Sequence, residues 1–438
     1  MKLKKHIIFF GILFGLTIGL RAQELKRISK PEVLDKVSEG NQSIKISVEA
    51  FNEAKGDYRQ SNAIFLPNIS VSHTGFATTN PLMAFGSKLN QEILTQADFN
   101  PDLLNNPSQI QNFATAIEFQ QPVINMDGFY QRKAAKSKME AMALQTDRVT
   151  DYVTFEVENA YMQLQLAYRA VGVLEKALVA ATANLTRVEN NFKQGYLQRS
   201  DVLQVKVRVT EVKNQLQTAR SNVRNASNYL SFLMNEKADV IYRPTDSLML
   251  DGLIKTVIMV VPEERADIKA MQFATDAHKA LYKSDKMTFL PTLNAFGSYQ
   301  LYDDQIFQFG ADGYLFGAEL KWDILQGTKR FGKAQKTRAT YEKSKLEYEQ
   351  YVSKSQLELN KNKRLLEDAE NKLELTELAV EQSREALRIR TNRFEEGLEK
   401  TADLLAAETQ YAQKQLEYYQ TIFEYNRTKA YLKFLTTN

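Results

Sequence analysis

The chain has 438 residues, with 57 basic and 53 acidic side chains and no cysteine. The missing thiols exclude a disulfide framework, a thiolate metal site, a cysteine nucleophile and a lipid on an N-terminal cysteine. Nine prolines and eighteen glycines, gathered in a few places, leave long stretches for uninterrupted helices rather than a string of compact domains.

Residues 1–22 have the form of a secretory signal: Lys2, Lys4 and Lys5, the apolar run Ile7 to Leu20, then Arg21 and Ala22 before Gln23. Cleavage is placed after Ala22, although Leu20 stands where a small residue is usual. The alternative is an uncleaved anchor, for which the run is shorter than the ~20 residues a spanning helix needs. Removing the signal takes away four basic residues and balances the mature chain at 53 of each sign. The basic excess therefore belongs to the signal, and nucleic acid is not an expected partner. A signal on a cysteine-free chain points to export across a bacterial inner membrane.

After a first helix, Phe65-Leu66-Pro67 leads into Asn68-Ile69-Ser70-Val71-Ser72-His73-Thr74, and Phe113-Ala114-Thr115-Ala116-Ile117-Glu118-Phe119 follows. In each, one face is largely apolar and the other small or polar, the period-two pattern of a strand. A β-hairpin is predicted over about residues 64–124, with a long loop from Asn80 to about Gln111, rich in Asn and Pro, at the cell surface. A coiled-coil hairpin is predicted over about residues 127–235. From Val153 its seam runs through Val157, Ala160, Leu164, Ala167, Val171, Leu174, Leu178, Ala181, Leu185 and Val188 to Phe192, in steps of four and three. It resumes as Val202, Val205, Val209, Val212, Leu216, Ala219, Val223, Ala226, Leu230 and Leu233, which places the hairpin tip at residues 193–201. These elements make a first structural repeat over 23–235.

A linker over 236–262 includes the apolar stretch Ile254 to Val261, too short to span a membrane and expected to pack at the equator of the assembly. A second repeat over 263–438 follows. Phe289-Leu290-Pro291 precedes alternating segments at Leu293–Leu301 and Tyr314–Trp322, a hairpin over about 289–325. The second coiled-coil hairpin, about 328–436, carries Leu359, Leu366, Ala369, Leu373, Val380, Leu387 and Phe394 inward and Leu404, Ala407, Tyr411, Tyr418, Tyr425, Leu432 and Leu435 back. Its seam is more polar, with Asn362, Thr376, Ser383 and Arg390, and the second hairpin is therefore expected to be the one that moves. Phe192-Lys193-Gln194-Gly195 and Ser200-Asp201-Val202-Leu203 return 202 positions later as Phe394-Glu395-Glu396-Gly397 and Ala402-Asp403-Leu404-Leu405. Gly195 and Gly397 stand where the chain needs positive φ to reverse.

Four alternating segments dense in aromatics have the pattern of membrane strands with a wet interior. Four strands do not close a barrel, and an open edge in lipid leaves backbone groups unpaired. Several copies must then pool strands; two or three would supply eight or twelve.

The signal, the twice-repeated order of helix, strand hairpin and long coiled coil, the Phe-Leu-Pro before each first strand and the two tip motifs resemble the TolC-type outer membrane efflux proteins, over about residues 24–438. The resemblance implies a mostly α, mixed α and β fold with an internal two-fold repeat. In it, coiled-coil hairpins form an α-helical barrel, and four strands per protomer enter a shared trimeric transmembrane β-barrel. It implies a homotrimer in outer membrane lipid whose tunnel extends into the periplasm and docks on a periplasmic adaptor and an inner-membrane pump or ABC-type secretion transporter. It implies no cofactor and no metal. In the family the tips close the tunnel and an aspartate ring narrows it; Asp403 stands at that position and Asp201 is its first-repeat counterpart. Each also stands where it can cap the returning helix, and both roles can hold. Ala406 replaces the second aspartate of some members, and Glu399 and Phe394 replace the arginine and tyrosine that lock some closed tips. Arg199, Arg393 and Lys400 are candidates for new ion pairs there. Gly195, Tyr196, Leu197, Gly397 and Leu398 form the tips, where the apolar groups meet either an adaptor or neighbouring tips.

An enzyme is not expected, because there is no phosphate loop, ligand cluster or nucleophile elbow, and outside the signal only His73 and His278 are imidazoles. A periplasmic coiled-coil adaptor or stalk without a barrel is the stronger rival, but it would not repeat its hairpin with strands between.

Overall fold

The computed structural model describes residues 24–252 and 260–437. The signal and most of the apolar stretch 254–261 lie outside the described residues. Contacts divide the described residues into two compact units, 24–42, 154–252 and 364–431 in one and 43–153, 260–363 and 432–437 in the other.

In chain order the elements are β1 (Glu24–Ile28), α1 (Lys30–Gly40), α2 (Gln42–Gln60), β2 (Asn68–Thr78), α3 (Pro81–Asn90), α4 (Pro101–Asn105) and β3 (Ile110–Ile124). Then come α5 (Met126–Lys193), α6 (Arg199–Leu233), β4 (Val240–Pro244), α7 (Ala266–Met287), β5 (Thr292–Asp303), β6 (Ala311–Lys321), α8 (Lys329–Glu395) and α9 (Thr401–Thr436). Helices α5 and α8 run 68 and 67 residues without a break, about 100 Å each at ~1.5 Å per residue.

The strand-bearing unit holds an antiparallel sheet in the order β2-β3-β5-β6. Register puts Ile69, Phe119, Gly297 and Phe316 in one row and Val71, Ile117, Tyr299 and Tyr314 in the next, so these side chains share one face. Ser70, Glu118, Ser298 and Leu315 make the row between them on the other face. Glycine and phenylalanine stand opposite each other twice between β5 and β6. A Cβ on Gly297 would lie 2.8 Å from the Phe316 ring, and one on Gly317 would lie 2.5 Å from the Phe296 ring, so each aromatic lies over a bare backbone.

The expected surface loop is not a loop throughout. Asn80 and Asn100 accept hydrogen bonds from the backbone N–H of Met83 and Asp102, and Pro81 and Pro101 follow at the first helical position. These are helix starts, and they fold the segment into α3 and α4.

In the same unit a buried polar cluster holds the last residues of α9. Arg265, only 2% exposed, grips Asp267 at 2.6 and 3.0 Å and donates to the Leu435 carbonyl and the Ser355 hydroxyl. Arg148 lies over the Phe434 ring, donates to its carbonyl and reaches Asp267 at 3.2 Å. Each guanidinium has carboxylate and carbonyl partners, which offsets its burial.

The other unit is coiled coil. All ten predicted seam positions of α6 are buried, as are Val157, Leu164, Ala181 and Val188 on α5. On α8 the seam polar residues Thr376 and Ser383 are buried, yet each hydroxyl bonds a carbonyl of its own helix, so no cross-helix partner is required. Beside the helices β1 and β4 pair in parallel, an element the sequence pattern did not suggest.

Candidate functional site: hairpin tips and strand sheet

Each tip is a helix ending in a Schellman turn. Tyr196 N–H reaches the Asn191 carbonyl at 2.9 Å and Gly195 N–H the Phe192 carbonyl at 3.0 Å; Leu398 and Gly397 repeat both bonds onto Arg393 and Phe394. Gly195 and Gly397 have φ of 81° and 75°, as the turn requires.

Inside the tips Val188, Val202, Val205, Phe394 and Leu404 form one buried cluster, with Leu185, Leu197, Leu387 and Leu405 around it. Phe394 is 4% exposed, so its ring packs the two hairpins together. Leu197 rests on the same cluster, whereas Tyr196 and Leu398 stand 78% and 62% exposed. The outward apolar groups of the tips are therefore Tyr196 and Leu398.

The two aspartates differ. Asp201 accepts a hydrogen bond from the Gln198 backbone N–H at 2.9 Å, which ties it to the start of α6 as a cap. Asp403 is half-buried in the first turn of α9, and its carboxylate has no hydrogen-bond or ion-pair partner among the described residues. Glu399 is held between Arg390 and Arg393, both at 3.1 Å, with 13% of its side chain exposed. Arg393 also donates to the Leu398 carbonyl, so two arginines of α8 clasp the tip turn. The first-repeat equivalents are Val188, Asn191 and Leu197, none of them charged, and Val188 and Leu197 make an apolar closure there. Arg199 and Lys400 make no ion pair among the described residues.

A layer that sequence reasoning missed lies on α5, α6 and α9 near the tips. Glu408 is 8% exposed, accepts a hydrogen bond from Asn184 and faces Arg208, which is itself buried. Burial pushes its carboxyl up to about 7, against the opposing pull of Arg208 and Asn184.

The apolar face of the strand sheet is exposed at Ile69, Val71, Tyr314 and Phe316. Strands β2 and β6 are edges, each paired on one side only. A wide apolar face and two unpaired edges of 11 residues suit pairing with further strands in lipid. No helix among the described residues is long and apolar enough to cross a membrane.

The family model for outer membrane efflux proteins matches residues 33–236 and 258–436. The chain belongs to this outer membrane efflux protein family. It is an outer membrane channel of efflux systems that extends into the periplasm, and the family is one of conduits rather than enzymes. The rival of a barrel-less adaptor or stalk is set aside by that membership.

Solved structures share the fold. The Campylobacter jejuni CmeC outer membrane channel superposes with a TM-score of 0.81 at 14% identity, over 100% of this chain and 94% of its own. The Vibrio cholerae outer membrane protein VceC gives 0.79 at 17%, over 93% and 96%. The open state of the Neisseria gonorrhoeae MtrE outer membrane channel gives 0.73 at 15%, over 93% and 88%. No curated protein matches the chain significantly in sequence.

Proposed function

We propose that three copies of this efflux protein pool their strands into one twelve-stranded barrel and that their hairpin tips close the conduit at its periplasmic end. Passage is passive, with no catalysis by the chain itself. The tips dock on a periplasmic adaptor of an inner-membrane pump or type I secretion transporter, and small molecules or proteins leave through the duct. The observation that carries this reading is the sheet with one exposed apolar face, one polar face and two open edges. Three copies of four strands make an even-numbered barrel within the known range.

Among the tip residues Asp403 is the constriction group. Its carboxylate has no partner among the described residues, whereas Asp201 caps α6 and Phe394 packs the core. Three such carboxylates near a common axis attract cations and repel anions. Asp403→Ala is expected to raise single-channel conductance in planar bilayers and to weaken block by multivalent cations. Unchanged conductance and block would remove Asp403 from the gate.

A further inference from the structure

A basic groove lies away from the tips, beside the two-stranded sheet. It has a volume of about 450 Å³ and is walled by α5, α9, β1, β4 and the segment after β4, a size suited to a small ligand. Four cations line it, Arg27, Arg169, Lys176 and Arg243, against one carboxylate, Asp246.

That carboxylate is already engaged. Asp246 accepts from the Tyr161 hydroxyl at 2.5 Å and from Gln165 Nε2 at 3.0 Å. None of the four cations has a carboxylate partner among the described residues. Arg27 and Arg243 stand opposite each other in register across β1 and β4, on strands about 4.8 Å apart. Directly opposed like charges destabilise a strand pair. Strand alternation fixes both on the open face, because Ile28 and Tyr242, on the other face, are fully buried.

The back wall is a stripe of α5: Gln165, Arg169, Gly172 and Lys176, spaced by four, three and four residues. Arg169 is held by the Leu248 carbonyl at 3.0 Å and lies over the Tyr419 ring, while its Nε is buried without a protein partner. A Cβ on Gly172 would meet nothing within 4 Å, so a mid-helix glycine leaves the groove open. Glycine there costs about 1 kcal/mol against alanine.

We propose that this groove is a binding site for a multivalent oxyanion, a ligand bearing phosphate groups or clustered carboxylates, which bridges Arg27 and Arg243 and reaches Arg169 and Lys176. Paired guanidinium forks match the geometry of such groups. The occupant fastens the two-stranded sheet to α5 and α9, and it stabilises the native state by mass action. None of its lining residues belongs to the hairpin tips.

The test is calorimetric titration of the full-length protein in detergent at fixed ionic strength, with pyrophosphate as one probe and citrate as the other. Saturable binding of one anion per chain is expected, and the tighter probe names the ligand class. The double variant Arg27→Gln/Arg243→Gln is expected to bind at least tenfold more weakly. Gly172→Leu, which fills the open groove and keeps every charge, is expected to do the same, and it decides the matter if the double variant does not fold. Absence of saturable binding by either anion, or wild-type affinity in Gly172→Leu, overturns the proposal.

Discussion

Glu408 is the residue whose perturbation follows most directly from its surroundings. Its carboxyl is 8% exposed, accepts one hydrogen bond from Asn184 and has its second oxygen buried without a partner. Arg208 faces it, but Arg208 is also drawn toward Glu211 at 3.6 Å. Burial raises the carboxyl from 4.5 to about 7. A raised acid means that the folded state binds the proton more tightly than the unfolded state, so its contribution is present at low pH and is lost as pH rises through 7. The whole difference corresponds to about 3 kcal/mol, of which about 2 kcal/mol is lost between pH 5.5 and 8. Hydrogen exchange of peptides covering residues 180–210 and 400–412, corrected for intrinsic rates, should show protection falling about thirtyfold over that range. Glu408→Gln keeps an acceptor for Asn184 and removes the titration, so its protection should stay flat and exceed that of wild type at pH 8. The same pH dependence in both proteins would mean that Glu408 is not the titrating group.

The arginine clasp gives a second expectation: Arg390→Gln with Arg393→Gln should release the second tip and raise open probability in planar bilayers. Val188→Ala should leave open probability near wild type, because it trims the apolar closure of the first tip without opening the clasp. Replacing Gly397 with alanine forces a Cβ into φ 75°, at a cost of about 1–2 kcal/mol in the helix end, measurable by exchange of the tip peptide. On the exposed apolar face, Phe316→Lys should cost about 2–4 kcal/mol at the bilayer midplane, and refolding into vesicles should show the loss; an unaffected refolding midpoint would argue against lipid at that face.

Much of the fold was legible because its signals are local. The seam of α6 was readable position by position, since a coiled coil repeats every seven residues and every copy reports the same face. The strands were legible from alternation, although β3 extends to Ile110 and Ile124, beyond the apolar core of the pattern. Pairing of β1 with β4 was not legible, because it joins Glu24 to Val240 and the segments are five residues each. The run Val240-Ile241-Tyr242 was its one local signal, a β-branched and aromatic cluster inside a presumed linker. Asn80-Pro81 and Asn100-Pro101 likewise signalled helix starts within the presumed loop.

At the tips, the repeat located the turns but not the roles. Phe192 and Phe394 occupy equivalent positions, yet one is 42% exposed and the other 4%, because packing depends on what the neighbouring hairpin presents. Asp201 and Asp403 are equivalent in sequence, but only Asp201 closes a bond onto its own cap. The layer of Asn184, Arg208 and Glu408 needs three helices to assemble, so no single stretch announces it.

Sharing of four strands per chain among three chains in the outer membrane fixes the stoichiometry of the channel. Native mass spectrometry of the protein extracted from outer membranes tests it most directly. A species of three copies, dissociating straight to single chains, is expected; a monomer or a dimer would rule out the shared twelve-stranded barrel.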